Sequence, residues 1–285
     1  MIDLHTHTTA SDGRCSPSEL VARAAAAGVT VLSVTDHDTV EASGAAAEAC
    51  AAAGITFVPG IEITAVHDES DVHVLGYFLD PAAPGLRQFL AEQRQQRIDR
   101  VGRMVARLQA LGMPLDAGAI LQPVIDQPGK SNGRPAIARA LVAAGYVATT
   151  GDAFDTLLAR GRPAFVAREG ASPETVIEQI HAAGGVASLA HPGLLKHDDW
   201  ISGFVSAGLD ALEAYHTSHD EAQIASYRSL ASRLGLCVSG GSDFHADESH
   251  GAAHPGSVAL PRDEFNQLRD RATIRAMASG AHISS

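Results

Sequence analysis

The first chemistry in the chain comes within its opening residues. Ile2-Asp3-Leu4-His5-Thr6-His7 reads as a short strand, with His5 and His7 two positions apart. Residues two apart in a strand point to one face, so both imidazoles aim at the same spot. Asp12 follows in a loop before Gly13. Two histidines and a nearby carboxylate suit a divalent metal. Alone, the pattern fits a solvated strand equally well, so matching ligands elsewhere must decide. They are present: His37 in Thr35-Asp36-His37-Asp38, Glu62 in Pro59-Gly60-Ile61-Glu62, His73 in His73-Val74-Leu75-Gly76, His191 in Ala190-His191-Pro192, and Asp243 and His245 in Gly241-Ser242-Asp243-Phe244-His245.

The elements that must position these residues alternate. Ser16-Pro17-Ser18-Glu19 is a helix start with a capping box, and Gly28 a helix end. Val29–Val34 reads as a strand, 41–53 as a helix and Ile55–Val58 as a strand. A βαβαβ run of this kind builds a parallel sheet or barrel whose site lies beyond the strands' C-terminal ends. Asp71–Phe78 is a further strand. Residues 85–111 read as one long helix, and 115–121, 134–144 and 152–159 as three shorter ones. Strands resume at Val186–Leu189, Leu209–Glu213, Leu236–Ser239 and near Gly256–Leu260, with helices at Ser172–Ala183, 220–234 and Arg262–Ser279. The fold expected is α/β: residues 1–84 and 164–285 form about seven strands of barrel type, and residues 85–163 a small inserted helical domain.

Composition narrows the function. The chain of 285 residues is 45% apolar, yet has no apolar run near the ~20 residues of a membrane span. The opening strand leaves no room for a signal peptide, and Cys15, Cys50 and Cys237 lack metal or disulfide spacing. A cytoplasmic protein with reduced thiols is expected. The net charge of -12 argues against long nucleic acid as a partner. Residues 94–168 carry eleven Arg and Lys against five Asp, which suggests a local anion site. Arg94, Arg97, Arg100, Arg103 and Arg107 recur at helical spacing and read as a solvated helix face.

Six imidazoles and three carboxylates exceed the needs of one ion. Three divalent ions with a bridging carboxylate and a bridging hydroxide fit better. Such a site favours a polyanionic substrate, with phosphate the obvious case, and suits Mn, Fe or Zn over Ca. These stretches, in order and spacing, resemble the motifs of the PHP (polymerase and histidinol phosphatase) family across nearly all of the chain outside the insertion. The resemblance implies a distorted (β/α)7 barrel with a trinuclear centre, Mn foremost and Fe, Zn or Mg as alternatives. It implies His5, His7, Glu62 and Asp243 at one metal, Glu62, His73 and His191 at a second, and Asp12, His37 and His245 at the third. Gly133-Arg134-Pro135 and Gly161-Arg162-Pro163 are similar to the branch that hydrolyses nucleoside 3',5'-bisphosphates and short 5'-phosphorylated oligonucleotides, although Ala136 stands where that branch carries His.

On this reading a hydroxide between two metals attacks phosphorus, and Asp36, Asp38 or His216 protonates the leaving alkoxide. His216 could also touch the substrate. Lys130, Ser131, Asn132 and Arg134 precede a helix and offer a seat for the second phosphate, joined by Arg160, Arg162 and Arg168. Tyr215, Tyr77 and Phe244 are the nearest options for stacking a base, and His181 reads as structural. The substrate expected is a small nucleotide, with no membrane or long nucleic acid as partner. Histidinol-phosphate phosphatase and 3'-5' exonuclease are alternatives, as is a metal-binding module without catalysis.

Overall fold

The computed structural model describes residues 1–126, 133–247 and 251–279. Seven strands lie side by side in chain order: β1 (Ile2–Asp3), β2 (Val31–Val34), β3 (Thr56–His67), β4 (Ser70–Tyr77), β5 (Val186–Leu189), β6 (Ala211–Tyr215) and β7 (Cys237–Gly240). β1, β2 and β3 are parallel, and so are β5, β6 and β7. β4 runs antiparallel to both neighbours. The reversal is made by Asp68 and Glu69, whose φ angles of 47° and 62° give the left-handed pair that matches strand twist in a tight hairpin. β4 therefore brings its N-terminal end to the rim where the other strands end, and His73 lies there although it comes early in its strand.

The ring nearly closes between β1 and β7. Leu4 N donates to Gly240 O at 3.2 Å, Asp243 N to His5 O at 2.8 Å and His7 N to Phe244 O at 3.0 Å. Gly241 makes the approach possible, since a Cβ there would sit 2.3 Å from His5 N. Asp3, fully buried at this seam, accepts from Ser242 Oγ at 2.6 Å, Gly256 N at 2.7 Å, Ser242 N at 2.9 Å and His5 N at 3.2 Å. The expected strand near Gly256–Leu260 does not form. That segment is tied by single bonds, Gly256 N to Asp3 and Leu260 N to Ile2 O, and builds no ladder.

Helices α1 (Pro17–Ala26) and α2 (Ser43–Ala53) connect the first three strands, and Ser16 with Glu19 forms the expected capping box. Between β4 and β5 no described residue is in a strand. This stretch holds α3 (Pro84–Ala110), α4 (Ala117–Asp126), α5 (Arg134–Ala143) and α6 (Thr150–Ala153), the last continued by a π-helical turn at Phe154–Leu158, followed by α7 (Pro173–Ala182). The last connections are α8 (Pro192–Leu195), α9 (Ile201–Ser206), α10 (Glu221–Leu234) and α11 (Arg262–Ser279). Among the described residues no helix is long and apolar enough to cross a membrane.

Two apolar clusters share α3. Leu86 and Leu90 from its first half pack with Ile61, Val74, Val186 and Leu212 in the barrel core. Val101, Met104 and Leu108 from its second half pack with Ile137, Leu141 and Leu158. The arginine face of α3 is not simply solvated. Arg97 pairs with Asp38, Arg100 Nε donates to Val166 O at 2.9 Å, Arg103 pairs with Glu169 at 2.8 Å, and Arg107 donates to Phe165 O. Residues 165–169, returning toward β5, supply the acceptors for Arg100, Arg103 and Arg107, and Asp38 from the turn after β2 supplies that for Arg97.

Asp3 holds the seam against the cost of burying a carboxylate, so its loss strands several N–H donors. Asp3→Ala should lower unfolding free energy by roughly 3 kcal/mol, read as a fall in the urea midpoint of metal-free protein. An unchanged midpoint would show that the seam holds without it.

Candidate metal centre

Glu62 lies at the middle of the rim, 1% exposed, on the part of β3 where inward side chains meet. Its Oε2 is 3.2 Å from His5 Nε2, 3.3 Å from His7 Nε2 and 3.2 Å from His37 Nδ1. Its Oε1 is 2.8 Å from His73 Nδ1 and 3.1 Å from His191 Nε2. Asp243 Oδ1 adds contacts of 3.2 Å to His5 and 3.1 Å to His7. Asp12 lies outward, 3.3 Å from His245 Nε2 and 3.7 Å from His37 Nε2. The structure thus brings all nine expected ligands together. Their donor atoms converge in overlapping groups: His5, His7 and Glu62; His37, Glu62 and His73; His7, Asp12, His37 and His245; and His5, His216 and Asp243.

Surrounding groups turn the ring lone pairs inward. His5 Nδ1 donates to Glu213 Oε1 at 2.8 Å, and His245 Nδ1 to Asp243 O at 2.9 Å. In the neutral ring that arrangement leaves Nε2 as the lone-pair atom, and each Nε2 faces the cluster, as in metal-ligating histidines. Both His7 ring nitrogens are buried without a hydrogen bond of good geometry, although carboxylates lie beside the ring. Nitrogen lone pairs and carboxylate oxygens sharing small spaces suit divalent cations. Asp38, His191 and Asp243 have φ of 53°, 29° and 53°, a left-handed backbone that costs energy and clusters at functional sites.

The electrostatics follow. Burial is the largest influence on Glu62 and opposes its charge, but His37, His73 and His5 hold it well below the usual carboxylate range. Burial likewise presses His7 down, yet the carboxylates of Asp243 and Glu62 beside the ring lift it to about 10. His37 is pushed down to about 4, by burial first.

The other expected site residues are placed as follows. Asp36 is engaged as an acceptor. Its oxygens accept from Ser11 Oγ at 2.6 Å and from Thr8 N and Thr8 Oγ1 at 2.7 Å, so it fixes the loop that carries Asp12. Asp38 is ionised, because Arg97 and Arg168 outweigh the burial that raises it; it also accepts from Thr64 N at 2.8 Å. Arg160 pairs with Glu69 at the surface, and Arg162 is exposed. Arg134 opens α5 with its guanidinium 5.9 Å from the Phe154 ring centre. Lys130, Ser131 and Asn132 lie outside the described residues. His216 sits inside the cluster, its Nε2 3.3 Å from Asp243 Oδ2. His181 is structural, 2.8 Å from Asp210. Two residues escaped the sequence reading. Arg97 was hidden in a periodic face. Glu213 was signalled only as a carboxylate inside the apolar strand Ala211-Leu212-Glu213-Ala214-Tyr215.

A nearly closed seven-stranded barrel that gathers imidazoles and carboxylates at one rim belongs to the class of metal-dependent hydrolases. More particularly, the chain belongs to the PHP domain family, whose pattern matches residues 3–147. It is 38% identical over 253 residues to the 5'-3' exoribonuclease Rnm of Salmonella typhimurium, spanning 85% of this chain and 84% of that one. It is 36% identical over 252 residues to the 3',5'-nucleoside bisphosphate phosphatase of Chromobacterium violaceum, spanning 86% and 87%. Among solved structures, an amidohydrolase from Chromobacterium violaceum with bound sulfate and no metal superposes with a TM-score of 0.77 at 33% identity, covering 95% of this chain and 96% of that one. Phosphoester hydrolysis with metal is the chemistry these relationships support.

Metal binding should displace the proton that His7 holds up to about 10, whereas His37, pushed down to about 4, has none to give at pH 8. Calorimetric titration of metal-free protein with Mn2+ at pH 8 should show proton release through its dependence on buffer ionisation heat. Heats independent of buffer would contradict these protonation states. Glu213→Gln should weaken Mn2+ binding about 10- to 100-fold without loss of fold, since it orients a ligand; equal affinity would deny it that role.

Proposed function

We propose that the protein hydrolyses the phosphoester at the 3'-oxygen of nucleotides that carry a 5'-phosphate. Nucleoside 3',5'-bisphosphates are the leading substrates. The observation that carries this reading is a group of guanidinium ions beside the cluster. Asp38 adjoins His37 and holds Arg97, and Arg168 Nη2 lies 3.7 Å away. Arg168 Nη1 is 3.4 Å from Asp71. Arg100 is pushed down to about 10, by burial first and then by Arg134 and Arg168, so these side chains sense one another's charge. Arg97 and Arg168 pair with Asp38 and Asp71, while Arg100 donates to Val166 O and Arg134 lies over Phe154, which leaves a positive surplus suited to a terminal phosphate. Sulfate bound in the Chromobacterium violaceum structure is in keeping with an anion-binding fold.

Divalent cations held by His5, His7, Asp12, His37, Glu62, His73, His191, Asp243 and His245 would supply a water nucleophile and would offset charge on the phosphoryl oxygens. The chain positions the phosphates and moves a proton. His216 is the remaining donor of the three considered. Its Nδ1 accepts from Ser218 N at 3.1 Å, so the neutral ring carries its proton on Nε2, which faces Asp243. That tautomer favours His216 as acid to the leaving 3'-oxygen over His216 as ligand. The oxygen of water bonds to phosphorus as the bond to the 3'-oxygen breaks, the 3'-oxygen takes the proton from His216, a proton of the attacking water restores the ring, and the products are a nucleoside 5'-monophosphate and phosphate.

The exoribonuclease relatives favour a second substrate by the same step. In a short 5'-phosphorylated oligonucleotide the same bond joins the first nucleotide to the next, and its cleavage proceeds 5' to 3'. That direction fits a 5'-phosphate seat better than the 3'-5' exonuclease alternative. Histidinol phosphate has no second phosphate for the guanidinium group to hold.

With Mn2+, adenosine 3',5'-bisphosphate should be hydrolysed at least tenfold more efficiently than 3'-AMP, 5'-AMP or histidinol phosphate. Arg97→Ala should raise KM for the bisphosphate about 10- to 100-fold and narrow that preference, as expected for a lost charge-assisted hydrogen bond. Equal turnover of histidinol phosphate, or a preference unmoved by the substitution, would sink the assignment.

A further inference from the structure

The aromatic side chains available by sequence do not seat a base. Tyr77 and Phe244 are buried, and the Arg228 guanidinium lies over Tyr215, 5.8 Å from its ring centre. A cavity of about 220 Å³ opens elsewhere on the rim, lined by Asp71, His73, Leu189, His191, Leu194 and Leu195 among others. His73 and His191 are two of the residues gathered on Glu62 Oε1, so the cavity floor is an edge of the metal cluster. Asp71 stands two residues from His73 on the same strand face and is the carboxylate that Arg168 reaches. The cavity therefore borders the cluster on one side and the guanidinium group on the other. Its remaining wall is apolar. Leu194 is 55% exposed on the single turn of α8, which ends at Lys196 with φ 60°.

We propose that this cavity is the nucleobase subsite. It rests on the functional reading above, because a nucleotide with its 5'-phosphate on the guanidinium group and its 3'-phosphate on the cluster has its ribose between them. The base then projects into the adjoining space. Leu194, Leu195 and Leu189 cover the heteroaromatic ring, and Asp71 accepts a hydrogen bond from an exocyclic amino group. An apolar pocket with one polar group that fixes orientation is the usual form of a small-molecule site. A base presenting an amino group to Asp71 binds better than one presenting a carbonyl, whose oxygen would face the carboxylate.

The test compares kcat/KM with Mn2+ for ribose 3,5-bisphosphate, adenosine 3',5'-bisphosphate and inosine 3',5'-bisphosphate. Wild type should favour the adenosine compound over both others, by about tenfold for burial of a ring. Leu194→Ser should cut the adenosine-to-ribose ratio severalfold, and Leu194→Phe should raise it; an exposed position tolerates both without loss of fold. Asp71→Asn should collapse the adenosine-to-inosine ratio. A wild type that handles the ribose compound as well as the nucleotide, or ratios unmoved by the Leu194 variants, would overturn the subsite while leaving the phosphate chemistry standing. A wild type inactive on all three would overturn the proposed function, and the subsite with it.

Discussion

A carboxylate shut off from water keeps its charge only where the chain supplies partners for each oxygen. Glu62 is in that position, and the rim is arranged around it. His5, His7 and His37 converge on one oxygen, His73 and His191 on the other. These residues come from the β1 edge, the turn after β2, the start of β4 and the turn after β5, which only a ring of strands can bring to one point. The imidazoles cannot all be cations at such spacing. His7 and His37 have ring centres 4.6 Å apart, and their proton affinities are driven in opposite directions, to about 10 and about 4. Protons alone serve this cluster unevenly. Divalent cations would satisfy the carboxylates and the neutral imidazoles together.

Around the cluster stands a second set of buried carboxylates that hold the first in place. Glu213 accepts from His5 and, at 2.7 Å, from His191 N, so a single side chain fixes one ligand's tautomer and another's strained backbone. Asp36 ties down the loop bearing Asp12, Asp38 aligns two arginines, and Asp3 fastens β7 to the strand carrying His5. Much of the protein's buried negative charge is therefore positional. Replacing one of these residues should act on geometry, while replacing Glu62 removes the centre itself.

The residues that cluster at the rim were legible because chemistry at strand ends leaves a mark that needs no tertiary knowledge: polar residues directly follow apolar runs. What hid the hairpin was its turn. Asp68-Glu69 adopts a conformation that Asn-Gly or Asp-Gly normally announces, so β3 and β4 read as separate strands, one of them far too short. Arg97 was lost for a different reason. Periodicity tells which side of a helix a residue occupies and says nothing about which turn lies against the barrel. Arg97 and Arg103 belong to one run of arginines at three-residue spacing, yet Arg103 pairs with a well-exposed glutamate and Arg97 with a buried aspartate. The strand expected near Gly256 failed because apolar content alone cannot show that one partner hydrogen bond is available where a ladder needs several.

Helix α3 gives the anion site its character. Its first half packs in the barrel core and its second in a separate apolar cluster, with Arg97 and Arg100 at the crossing. Arg168 comes from the segment before α7, and Arg134 from the start of α5. The positive group is thus assembled where the two apolar clusters join, while the imidazole and carboxylate cluster is built from the barrel strands and the turns after them. A phosphate seated there would offset repulsion among guanidinium groups that the fold already holds together, so binding would also tighten the joint. On the proposed function, substrate length would be measured between two fixed points, the joint and the cluster. A 5'-phosphate and a 3'-phosphoester on one ribose would meet both, whereas a monophosphate could meet only one at a time.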